Sequence, residues 1–119
     1  MAQTTSLKRR DQMKRAPLPH CHGGVGSLDF TVVLDGKESP LQHVRFIHDD
    51  MLAPGVSIGV HQHRDEEHYY ILSGRGTMAL DGQRYEVGPG DIASVYAGGS
   101  HGLENTGHED MRILVVAAG

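Results

Sequence analysis

From residue 28 onward the chain alternates apolar and polar positions with a period of two, in short runs closed by turn residues. The segments 28–34, 42–48, 56–63, 67–73, 77–80, 83–87, 92–96, 102–106 and 111–117 predict eight or nine short strands. Between them stand Asp35-Gly36, Pro54-Gly55, Gly74-Arg75-Gly76, Asp81-Gly82, Gly88-Pro89-Gly90-Asp91, Gly98-Gly99 and Asn105-Thr106-Gly107. Asp81-Gly82, flanked by alternating runs, is the strongest hairpin signal. No helical period, internal repeat or linker is visible, so the expected class is all-β, a sandwich or barrel. Residues 1–24 have no clean period and predict an N-terminal arm carrying at most one short strand. A single β-barrel domain is expected over 25–119.

Composition changes this picture in three places. Sixteen glycines and five prolines in 119 residues fit the frequent turns, and the lack of Trp leaves the core to Val, Ile, Leu, Met and Tyr. The net charge of −4 argues against a nucleic-acid partner, although Lys8, Arg9, Arg10, Lys14 and Arg15 crowd the arm, where they are expected to be solvated. One cysteine, Cys21, forms no internal disulfide, and no apolar run would span a bilayer, so a soluble cytoplasmic protein is expected.

The remaining anomaly is nine histidines. In the run 56–63, His61 and His63 are two apart and project to the same side of a strand, close enough to reach one ion. Alone, such a pair could equally be two surface residues. Glu67, opening the next run, and His101, following Gly98-Gly99-Ser100, add two more donors. Glu66 competes with Glu67 for the carboxylate role; strand alternation favours Glu67.

These residues resemble the cupin superfamily. The spacing G-x5-H-x-H-x3-E-x6-G is met by Gly55, His61, His63, Glu67 and Gly74. The spacing G-x5-P-x-G-x2-H-x3-N is met by Gly90, Gly98, His101 and Asn105, with Tyr96 in place of the proline. Fifteen residues separate the two motifs, as in small stand-alone cupins. Those are also similar in Gly23-Gly24-Val25-Gly26, Tyr69-Tyr70-Ile71-Leu72 and Glu104-Asn105-Thr106-Gly107. The resemblance implies a double-stranded β-helix, a jelly-roll barrel of two antiparallel sheets. It also implies one divalent transition metal per chain held by His61, His63, Glu67 and His101. Three imidazoles and a carboxylate suit Mn, Fe, Co, Ni, Cu or Zn. Tyr96 is expected to alter a turn and a wall of the pocket.

Around the ligands, Tyr69 and Ile71 share the face of Glu67. Tyr69 is the candidate catalytic residue, as proton donor or anchor for a substrate oxygen, against the plainer reading of a core tyrosine. His43 and Arg45 are candidates for the pocket side of the second strand, with a surface role equally open; His68 falls on the face opposite Glu67 and is expected to be peripheral, and His48 and His108 are expected in solvent. His20-Cys21-His22 looks like a ligand set but lacks partners, so a turn is the default. In the run 56–63 the ligand face reads Ser57, Gly59, His61, His63, small residues that leave room for a pocket. The other face carries Val56, Ile58 and Val60, apolar where water would favour polar residues. Its cover would be the N-terminal segment or a second subunit, hence an expected homodimer. The function implied is a metal-dependent enzyme acting on a small, chelating, oxygen-bearing molecule, with dioxygenase ahead of decarboxylase, isomerase or lyase. The alternative is a metal-assisted binding or sensor protein without turnover.

Overall fold

The computed structural model describes residues 4–38 and 41–119; the first three residues of the expected arm lie outside it. Ten strands are described: β1 Lys14–Pro19, β2 Ser27–Asp35, β3 Val44–Leu52, β4 Ser57–Gln62, β5 Glu66–Ser73, β6 Gly76–Leu80, β7 Gln83–Val87, β8 Ile92–Val95, β9 Ser100–Glu104 and β10 Met111–Ala118. They form two antiparallel sheets, ordered β1-β2-β3-β10-β5-β8 and β4-β9-β6-β7. This is the all-β architecture expected from the alternation and the turns, and the jelly-roll barrel of two antiparallel sheets implied by the resemblance. Among the described residues, no helix is long and apolar enough to cross a membrane.

Alternation sends one face of each strand inward. In β10, Met111, Ile113, Val115 and Ala117 are buried, and their neighbours face out. Leu28, Leu52, Ile58, Tyr69, Ile71, Met78, Ala93 and Leu103 meet them from the other strands. Burying such side chains stabilises the fold by about 1.5–3 kcal/mol for each large one.

The arm contains one strand. β1 pairs with β2 along its whole length, from Lys14 opposite Val32 to Pro19 opposite Ser27. Pro17 and Pro19 are tolerated there because β1 is an edge strand, with one side free of ladder bonds. The basic residues before it are partly paired instead of free in solvent. Arg10 reaches Asp49 at 2.9 Å, where Arg112 also binds through two nitrogens at 2.9 and 2.6 Å. The two guanidinium groups offset the burial of Asp49, whose carboxyl lies below its ordinary range, with the Arg112 hydrogen bond as the first cause.

Two details position the site. Asn105, 1% exposed, donates to Leu52 O at 2.9 Å and Glu109 O at 2.7 Å and accepts from Gly107 N at 2.9 Å. It thereby closes the loop after β9 onto the end of β3. Gly74 turns β5 toward β6 at φ +81, where a Cβ would stand 2.5 Å from Asp110 O, so only glycine fits.

Candidate metal centre

His61 lies on β4 opposite His101 on β9, His63 follows β4 directly, and Glu67 is the second residue of β5. A tight return from β4 to β5 thus brings three donors to the barrel mouth, and β9 adds the fourth. One donor atom from each of the four residues lies within 4.8 Å of the others. His61 Nε2 and His63 Nε2 are 2.9 Å apart, and Glu67 Oε1 is 3.3 Å from His63 Nε2 and 3.1 Å from His101 Nε2. Glu66 points away and meets His68 Nε2 at 2.7 Å, while the other nitrogen of His68 meets Ser94 Oγ. The carboxylate of the cluster is therefore Glu67, and His68 lies outside it, both as expected.

The electrostatics suit a cation. His101 is 0% exposed, yet neither ring nitrogen has a hydrogen-bond partner, and the contact with Glu67 is short without being aligned. A buried imidazole left so is costly unless something outside the chain satisfies it. Burial lowers His61 to about 4, and the neighbouring imidazoles add to this against the hydrogen bond with Gly59 O. Burial also lowers His63, against the pull of Glu67. Burial pushes Glu67 up, but the close His101 and the charges of His63 and His61 outweigh it and hold the carboxyl below its usual range. Neutral imidazoles and an ionised carboxylate are the ligand forms of these groups. The donor set, its convergence and the orphaned His101 ring all fit a divalent transition metal.

Other expectations about this end of the barrel change. Strict alternation along β4 fails. Ile58 pairs with Leu103 and His61 with His101, and the register shifts between them. Such a bulge lets residues three apart face the same way. Ile58 is therefore inward and 3% exposed, and Val56 packs against the core; of the three supposed outer residues only Val60 faces out, 66% exposed. Nor does Gly59 open a pocket. A Cβ there would stand 2.0 Å from His22 O, because the turn Cys21–Gly23 fills that space. The segment continues along β4, with Val25 O accepting from Ser57 N and Val25 N donating to Ser57 Oγ. The N-terminal segment thus lies along Ser57 and Gly59, whereas Val60, on the face expected to be covered, stays exposed.

On β3 the opposite face to the expected one points inward. Phe46 packs against the core and His48 is half-buried between the rings of Phe30 and Phe46, at 4.3 and 4.2 Å. His48 is therefore not a solvent residue, and burial lowers its pKa. Arg45 is exposed and pairs with Asp65, and His43 is exposed before the strand begins. Their side chains take the outward phase because the two phenylalanines claim the interior. Tyr96 does not form a pocket wall: it is 62% exposed, with its ring 6.2 Å from His68 on the outside, and keeps only its turn role. Tyr69 is 3% exposed, its ring 4.5 Å from that of His101. Burial, then the Glu67 carboxylate, pushes its phenol well above the usual range. His108 is exposed as expected, and Cys21 packs half-buried against the core. His22, expected only as part of a turn, is a neighbour of the site: its ring stacks on His61 with centroids 3.5 Å apart and planes 11° from parallel. The isolated glycine at position 59, inside a strand pattern, was the available hint that something approaches closely.

Comparison with known proteins agrees with this geometry. The family model described as Cupin domain matches residues 50–117. An oxalate-binding protein of Thermotoga maritima is 32% identical over 114 residues, covering 95% of this chain and 93% of its own. A crystal structure from the same organism, described as a predicted oxalate decarboxylase, superposes with a TM-score of 0.87 at 32% identity, over 95% of this chain and 98% of that one. A 5-nitrosalicylic acid 1,2-dioxygenase of Bradyrhizobium is 29% identical over 66 residues, which are 56% of this chain and 32% of that protein.

Proposed function

The chain belongs to the cupin domain family, and from that premise we propose that it binds a small dicarboxylate of the oxalate class at a divalent metal held by His61, His63, Glu67 and His101. The observation that carries this reading is the buried, unpartnered His101 imidazole aimed into a cluster of three further donors. A metal bound there supplies positive charge and open positions to a chelating dianion. The chain does the rest. Glu67 contributes the one carboxylate charge of the cluster, so an anionic ligand meets little repulsion from the protein. Tyr69 packs beneath His101 and excludes water from behind the ligands.

The test is calorimetric titration of the manganese-loaded protein with oxalate, with formate and acetate as controls. Oxalate is expected to bind at least about tenfold more tightly, since two carboxylates on one molecule gain from effective concentration. Equal affinities for all three would reject the oxalate class.

Turnover is the second reading, supported by the partial match to a 5-nitrosalicylic acid 1,2-dioxygenase. It divides into decarboxylation, in which oxalate disappears as formate and carbon dioxide form, and oxidation, in which dioxygen is consumed with an aromatic acid. A protein that binds oxalate without either change is a carrier or sensor.

The homodimer belongs to this proposal as well. The outer face of β5 and β8 presents Tyr70 and Ile92 as cross-strand neighbours, 40% and 62% exposed, beside Leu72. Light scattering at micromolar concentration should give twice the 12.9 kDa of the chain; the single mass would remove the dimer. A cytoplasmic setting, in which Cys21 stays a thiol, completes the reading.

A further inference from the structure

We propose that His22, which lies outside both metal-ligand motifs, is a positioning residue for the metal centre, its ring fixing the plane of His61. The inference rests on the reading of the four-residue cluster as a metal site.

His61 is held by two contacts that are not ligands. Its Nδ1 lies 2.7 Å from Gly59 O. A carbonyl only accepts, so Nδ1 carries the proton and the lone pair stands on Nε2, the nitrogen facing His63. That bond fixes one ring atom and leaves rotation about the bond's own axis. The His22 ring, nearly parallel at 3.5 Å between centroids, removes that freedom. The other rings meet His61 only at 4.7 Å edge-on and 4.8 Å tilted.

The turn that presents His22 is built to be stiff. His20 and His22 both take the left-handed conformation, at φ 50, which is uncommon for non-glycine residues and is here fixed by the contacts around the turn. Those contacts are visible. His20 N donates to Gly26 O at 2.8 Å, His20 Nδ1 lies 3.2 Å from Gly24 O, and Cys21 packs against the core. His22 O occupies the space a Cβ would take at Gly59. The same backbone contact therefore seats the turn and brings its ring onto His61. His22 is not among the four convergent donors, so its contribution is orientation. Contacts behind a ligand tune affinity through the direction of the lone pair.

The experiment compares the intact protein with His22→Ala, His22→Phe and His101→Ala by cobalt(II) titration, visible absorption of the bound cobalt and thermal unfolding of the metal-free forms. His22→Ala is expected to weaken cobalt about tenfold and shift its absorption bands, whereas His22→Phe, which keeps a flat ring, should stay within about threefold with unchanged bands. Three results overturn the proposal: His22→Ala indistinguishable from the parent in both readouts; His22→Phe as weak as His22→Ala, which would make His22 a ligand; or losses that merely track metal-free stability in both variants. Cobalt bound equally well by His101→Ala would instead overturn the metal-site reading itself, so the two failures are distinguishable.

Discussion

Replacing His101 with alanine is expected to reduce bound transition metal from about one ion per chain to less than about a tenth, since a first-sphere imidazole is lost outright. His101 is fully buried, faces His61 across the β4–β9 ladder and lies 3.1 Å from Glu67. Alanine leaves three donors around a hole the size of an imidazole, and the carboxylate keeps only His63 and His61 to offset its burial. The loss should appear twice. Elemental analysis reads the ion directly. Thermal unfolding with and without added metal reads its linkage to folding, about 4 kcal/mol at a thousandfold excess over Kd in the parent and close to none in the variant. Full metal content in His101→Ala would sink the site assignment.

The second large effect concerns Asp50, which is 3% exposed with its Oδ1 unpartnered. Burial first, then the charges of Asp49 and Glu67, push its carboxyl from 3.8 up to about 8, against a hydrogen bond from the Thr31 backbone. An acid raised in this way keeps its proton in the folded state after the unfolded chain has released it. Between about pH 4 and about pH 8 the native state therefore holds more protons, and stability falls as pH rises, by at most about 1.4 kcal/mol per unit. Asp50→Asn removes this dependence. The variant should match the parent near pH 4 and exceed it by on the order of 3 kcal/mol at pH 8, with denatured-state effects absorbing part of the simple maximum. Urea unfolding of both metal-free proteins across that range is the measurement. The difference between them matters, because His48, His61 and His63, all lowered by burial, contribute the opposite slope to each protein alike. A difference that does not vary with pH would show that Asp50 does not titrate there.

Much of this was legible in the residues themselves. Strand and turn signals from residue 28 onward correspond to β2–β10, because hydrophobic alternation and Gly-containing turns are local properties. The four donors were legible too, since fixed spacing on neighbouring strands becomes fixed geometry in a barrel. What escaped was decided by packing at a distance. β1 was obscured by two prolines that only an edge position tolerates. Phe30 and Phe46 drew His48 inward and turned Arg45 out, against the expectation that Arg45 faces the pocket and His48 the solvent. Asp49 and Asp50, adjacent acids, are a clamped ion pair on one face and a buried acid on the other.

The register shift in β4 bears on any attempt to transplant this centre. Ile58 fills the core and His61 serves the mouth from the same side of one strand, three residues apart, only because the ladder slips between them. A graft that copied the donors onto an unbulged strand would have to give up either the packing residue or the first histidine. The transferable unit is therefore longer than its ligands: it begins at Ile58 and includes Gly59 with whatever backbone leans on it. Deleting a single residue within that step would remove the bulge and leave Ile58 and His61 on one side, so its cost would fall on the Gly59 contact with the His22 backbone and not on the face the two residues share.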